Sequence, residues 1–205
     1  MEEKTEKRMA ENYEITHSLR IGDREVVLGV DEKSEQPYFC AFYRKQTVLC
    51  YIKERYEECV VDSDYVRIME VFAGRVQEQC AKVRKEWAQI TVPREPVTAD
   101  MCYPHDYGQK LVGKVVAIKT TSLLPEYRTA DHQLVWISGG SGAYPYSRGT
   151  SCFSVNLYTG ENVRWSRFDV LGEVKPECLP EWAKQRLEII RQSEQQINKP
   201  SKEAR

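Results

Sequence analysis

The chain has 205 residues, 41% apolar and 30% charged, enough for one or two small cores beneath a well-solvated surface. It holds no apolar run long enough to span a membrane, and its opening MEEKTEKRMAENYE lacks the apolar stretch of a secretory signal, so a cytoplasmic location is expected. Residues 1–90 carry 15 basic and 18 acidic side chains and residues 91–205 carry 15 and 13, for a net charge of −1; neither half is a strongly basic nucleic-acid binder or a polyanion imitating DNA.

Residues 1–12 read as a flexible tail. From Tyr13 the pattern turns to strand: Tyr13 to Ile21 ends at the Gly22-Asp23 turn, and Glu25 to Val30 returns from it as a hairpin. YFCAFY after Pro37 and TVLCYI after a polar Arg44-Lys45-Gln46 turn extend this to a meander of about four strands. Asp62, Ser63 and Asp64 then supply a helix N-cap. Tyr65, Ile68, Phe72, Val76, Cys80, Val83, Trp87 and Ile90 follow at spacings of three and four, which sets them on one stripe of a helix over 63–90. The stripe suits packing on the sheet, and Glu78 and Lys82 on the other face stand four apart for an ion pair.

Residues 91–110, rich in Pro and turn residues, read as a linker between two domains, 13–90 and 111–192. LVGKVVAIK (111–119), HQLVWIS (132–138), SCFSVNL (151–157), NVRW (162–165) and 168–174 give five short strands, a small curled antiparallel sheet or partial barrel. Leu179-Pro180-Glu181 opens a closing helix with Leu179, Ala183, Leu187 and Ile190 buried and Trp182 flanking; 193–205 reads as a second flexible tail. The expected class is α+β, with an antiparallel sheet and one long helix first and the curled sheet with its closing helix second.

Seven scattered cysteines with no CxxC pair give no disulfide framework or zinc site, and no cofactor is expected. The loop Ser138-Gly139-Gly140-Ser141-Gly142 lacks the Lys and the following helix of a phosphate loop, so it reads as a β–β connection whose tyrosines invite contact. Asp131-His132 lacks a nucleophile motif beside it, and His132 reads as a strand-end residue rather than a general base. Cys102, His105 and Asp106 sit in a Pro-containing loop with too few ligands for a structural metal. The strongest candidate face is Tyr144, Tyr146, Arg148, Arg164, Trp165 and Arg167. Arg beside exposed aromatics suits a protein hot spot, phosphate contact or base stacking. On a strand Arg164 faces away from Trp165 and Arg167, so one Arg is expected to be structural. Truncating Arg148 and Arg167 is expected to weaken binding with little change in stability.

LPEYRTADHQL, the Gly loop followed by SRG, LYTGE, the RW..FDVLG stretch and the closing LPEWA together resemble a module of accessory proteins from conjugative and other mobile elements of gut Firmicutes. ITHSLRIGDREVVLGVD, YFCAFY and the long helix resemble the part that often precedes it, so the likeness covers residues 13–190. It implies an anti-defence or transfer-accessory role, anti-CRISPR or antirestriction in type, without catalytic residues. The expected partner is a host defence nuclease or its guide or target nucleic acid. A nucleic-acid-binding regulatory factor, an enzyme acting on nucleic acid, and a homo-oligomer stay open.

Overall fold

The computed structural model describes residues 8–48 and 51–197, and the protein is α+β. It divides into two compact units, Met1–Ile90 and Thr91–Arg205, each holding a five-stranded antiparallel sheet. One of the sheets is curled into a half-barrel.

In the first unit the strands follow chain order: β1 (Met9–Ala10), β2 (Tyr13–Ile21), β3 (Arg24–Val30), β4 (Tyr38–Val48) and β5 (Tyr51–Asp62). Residues 8–12 are therefore not a tail. Ala10 is buried, and Arg8 pairs with Glu25 across the sheet. Residues 1–7 lie outside the described residues, as do 49 and 50 between β4 and β5. The Arg44-Lys45-Gln46 stretch is strand rather than turn, because β4 and β5 run as a long hairpin that pairs Tyr43 with Tyr56 and Lys45 with Glu54. Charged residues in it hid that hairpin from an apolar-run criterion.

Helix α1 (Tyr65–Gln89) begins at Asp64, whose Oδ1 accepts from the N–H of Val66 at 2.8 Å and of Arg67 at 3.3 Å. Ile68 and Phe72 of its stripe pack on Val26, Leu28, Cys40 and Phe42. Tyr65 and Trp87 near the ends of the stripe are exposed, Ile90 is the C-cap, and Gln79 is buried in a place the apolar pattern did not mark. Lys82 pairs with Asp23 of the β2–β3 turn at 2.7 Å rather than with Glu78, fastening the helix to the sheet. The sheet's other face buries Val27, Phe39, Ala41 and Tyr43 under Ala10, Tyr13, Ile15 and Tyr56 of its own strands. Strand β3 is thus covered on both faces, which is why EVVLGV runs apolar without alternation.

The second unit has the strand order β10-β6-β7-β8-β9: β6 (Val115–Ile118), β7 (Leu134–Gly139), β8 (Ser151–Asn156), β9 (Asn162–Ser166) and β10 (Val170–Glu173). Alternate residues of β6 and β7 feed two cores. Val115, Ala117, Leu134 and Trp136 meet Leu179, Ala183 and Leu187 of the C-terminal region, the last two on α3 (Glu181–Ile197). Val116, Ile118, Val135 and Ile137 meet Leu111, Ala143 and Cys152. Helix α3 runs to Ile197, taking in the first five residues of the expected tail; 198–205 lie outside the described residues.

Residues 91–110 are no linker. Val97 and Cys102 are buried in the first of these cores. The Gln133 side chain accepts from the Val97 N–H at 2.8 Å and donates to the Val97 carbonyl at 3.1 Å, standing in for a neighbouring strand. Tyr103 donates to the Glu173 carbonyl at 2.8 Å, continuing the edge of β10. Gln133 itself lies on a helical turn, α2 (Ala130–Gln133), so His132 is not the first residue of a strand.

Candidate binding face

The Gly loop is part of the core. Gly142 and Ala143 are buried in a 3-10 turn, and Ala143 accepts from the Leu111 N–H at 2.8 Å. A Cβ on Gly142 would stand 2.2 Å from the Thr150 carbonyl oxygen, and one on Gly140 2.3 Å from that of Ser151. Gly140 also has φ +99°, in the left-handed region. These glycines permit close approach of the loop to β8, and the loop has no open cradle for an anion.

What holds the loop is Arg167. It is only 3% exposed, against the expectation of a surface guanidinium. Nη1 donates to the carbonyls of Gly142 (2.6 Å) and Tyr144 (3.3 Å), and Nη2 to those of Asp106 and Gln109 (both 2.8 Å). One planar fork thereby ties the Gly loop to the 106–109 loop through four carbonyls that would otherwise be left unpaired. Ser166, the N-cap of the turn carrying Arg167, forms a reciprocal capping box with Asp169. Asp169 is thus spent on the cap and does not pair with the arginine.

Trp165 is also scaffold. It lies half-buried against the core of Val116, Ile118 and Cys152, on the side of β9 shared with Cys152. Arg164 faces the other way, opposite Phe153, and donates to Ser151 Oγ at 2.7 Å. With Ser138, Phe153 and Asn162 it lines a shallow recess of about 320 Å³. Arg148 is exposed, with no hydrogen-bond, ion-pair or ring partner among the described residues.

The exposed rings gather around Arg167. Tyr144 is exposed, and Tyr146, with φ +51°, is 83% exposed. The Tyr146 N–H donates to the Tyr107 carbonyl at 3.0 Å. Tyr107 packs edge-on against Phe168 at 5.8 Å and lies 5.4 Å from the Arg167 guanidinium. Lys110 reaches to 5.9 Å over Tyr144. Of the six expected residues, then, Tyr144 and Tyr146 share a patch, Arg164 faces elsewhere, and Arg167 and Trp165 support it from beneath. Tyr107 and Lys110 were missed because they sit in the segment read as linker. Phe168 follows the buried arginine on the same turn and is exposed.

No family model, curated protein or solved structure matches the chain. Asp131 is fully buried, its Oδ2 2.7 Å from His132 Nδ1 and its Oδ1 3.6 Å from Arg94 Nε. Burial raises its pKa, but the neighbouring His132 and Thr129 outweigh that and leave the carboxyl below its ordinary value. His132 stacks on Tyr127 at 4.6 Å. This arrangement fixes the 91–98 segment to α2. His105 is lowered by burial and by the nearby Arg167 charge. No cluster of three metal-ligating side chains occurs among the described residues, and no helix there is long and apolar enough to cross a membrane.

Proposed function

We propose that this chain is a non-catalytic protein of a mobile element that inhibits a host defence nuclease, CRISPR-associated or restriction in type, by docking in the cytoplasm. The observation that carries the reading is the patch of Tyr107, Tyr144, Tyr146 and Phe168, exposed on a base that Arg167 makes rigid. Tyrosines held in this way offer large contact area at small cost in side-chain entropy, as in protein hot spots. Lys110, beside the Tyr144 ring, suits an acidic partner surface or a phosphate, and Arg148 is an exposed cation two residues along the chain from Tyr146. The likeness of the LPEYRTADHQL to LPEWA region to mobile-element accessory proteins supplies the biological class.

A second reading is a nucleic-acid-binding accessory factor, since the same rings can stack bases. One experiment separates the two. A targeted plasmid is introduced into a host carrying restriction and CRISPR systems, with and without this protein. The inhibitor reading requires plasmid survival to rise, and to fall back when Tyr144, Tyr146 and Phe168 are all replaced by Ala, with the urea midpoint unchanged. Unchanged survival with wild-type protein, alongside salt-sensitive binding to bare strands through the same rings, favours the accessory factor instead.

A further inference from the structure

The face of the second unit's sheet that carries α3 is not covered to its edge. Trp136 and Val155 on that face pack in the core with Ala183 and Leu187. Phe153, two residues along β8 from Val155, is 53% exposed. Strand register sets its neighbours: Phe153 stands opposite Arg164 of β9, and Val155 opposite Asn162. The Ser154–Val163 pair between these rows turns the other way, with Ser154 buried and Val163 against the core of Val116 and Cys152. The backbone of that pair is left as the floor of the recess of about 320 Å³, the size of a small-ligand site. Ser138, the extra residue of a bulge in β7, closes its third side.

The lining carries one cation and no carboxylate. Arg164 Nη2 donates to Ser151 Oγ at 2.7 Å, which fixes the guanidinium and leaves Nε and Nη1 without a partner among the described residues. The Phe153 ring has no other ring and no cation against it among the described residues, so its face is open. The Asn162 amide and the Ser138 hydroxyl are exposed and unpartnered there as well. The chemistry of these groups selects the ligand. A ring face takes another planar ring by offset stacking, an amide reads a donor–acceptor edge, and a guanidinium fork takes phosphate oxygens. A simple anion would use the arginine alone, and an apolar side chain the ring alone. A planar heterocycle that carries a phosphate uses all three.

We propose that this recess binds a nucleotide, with the base on Phe153, Asn162 at the base edge and the phosphate on Arg164. The chemistry fits a free nucleotide or one nucleotide of a single strand, and β9 is an edge strand, past which a chain can enter and leave. The site lies on the face of β9 opposite Trp165, apart from the patch of Tyr107, Tyr144, Tyr146 and Phe168. It is additional to the docking reading, and it would stand if nuclease inhibition failed.

The probes are a labelled thymidine oligonucleotide, read by fluorescence anisotropy against the full chain at several salt concentrations, and AMP, read by titration calorimetry. Saturable binding is expected. Phe153→Leu should weaken it by about 5- to 100-fold, the loss of one stacked base, and leave the slope of log oligonucleotide affinity against log salt unchanged. Arg164→Gln should reduce that slope by about 0.7, one single-strand phosphate. Phe153→Tyr keeps the ring and should bind like the wild type. These side chains are exposed, so the urea midpoint should hold. If Phe153→Leu lowers it, Asn162→Asp is read instead; it sets a carboxylate in the recess and should weaken binding at least about fivefold. Oligonucleotide binding more than about tenfold tighter than AMP assigns the site to a strand, and a smaller difference assigns it to a free nucleotide. Failure of both probes to bind overturns the proposal. So does binding that folded Phe153→Leu and Arg164→Gln variants leave unchanged, or that is lost on changing Tyr144 and Tyr146 to Ala while Phe153→Leu keeps it.

Discussion

Arg167 holds two loops through four carbonyl acceptors and has no carboxylate partner among the described residues. Replacing it with Ala leaves one buried and three partly buried carbonyls without this donor and removes the packing of a buried side chain, and we expect a loss of about 2–4 kcal/mol in urea unfolding. Arg148→Ala, at an exposed side chain with no partner, should change stability by less than about 0.5 kcal/mol. Equal effects from the two would undo the division drawn between support and surface. Both residues sit among aromatics and turn residues in the sequence, where only strand alternation hinted that one was internal. Strand alternation sets Arg164 apart from Trp165, but Arg167 lies on the turn after β9, and alternation could not show that the 106–109 and 142–144 loops bury it. Asp131 makes a pH-dependent statement at the same scale. Its folded pKa is below the ordinary value of about 3.9, so its stabilisation is complete above that value and lost as pH falls through the lower, folded one. Asp131→Asn should therefore melt below the wild type at neutral pH, and the gap should close as pH falls below about 4. A gap that stays constant through that range would mean the carboxylate charge contributes nothing.

Among the elements, α1 was the most legible, because a run of apolar residues at helical spacing admits few other readings. Its periodicity says nothing, however, about how far the sheet extends beneath it. Ile68 and Phe72 meet apolar strand residues, while Tyr65 and Trp87 near the ends stay exposed. Gln79 is the converse, a polar residue taken inside, with Oε1 buried and unpartnered. Replacing it with Leu removes an unsatisfied acceptor at nearly constant volume, and the urea midpoint should rise or hold. A fall of more than about 1 kcal/mol would mean that the amide has a use the packing does not account for. Strand β5 escaped notice for a different reason. Its half from Glu54 to Glu58 is mostly charged, and it is held by cross-strand partners on β4 instead of an apolar face. Composition marks a strand only where one of its faces is dry.

At the scale of the whole chain, the break after Ile90 was foreseeable, but the extent of the second unit was not. Proline and turn residues across 91–110 signal irregular backbone, which in a sequence looks the same as free backbone. The Gln133 amide shows how it can be neither: one side chain satisfies both backbone groups of Val97, so the segment enters the core without joining a sheet. This sets where the chain can be cut. Residues 91–197 contain both cores of the second unit, every partner of Arg167 and the whole ring patch. Produced alone, that segment should fold with one cooperative transition and keep near-UV ellipticity from its packed Trp136 and Trp165. A fragment beginning at residue 111 lacks Val97, Cys102 and the Asp106 and Gln109 carbonyls, and it should be largely unfolded or molten at the same temperature. If instead the shorter piece melts like the longer one, then 91–110 is a linker after all, and the arginine beneath the rings is held by something other than the two loops it touches.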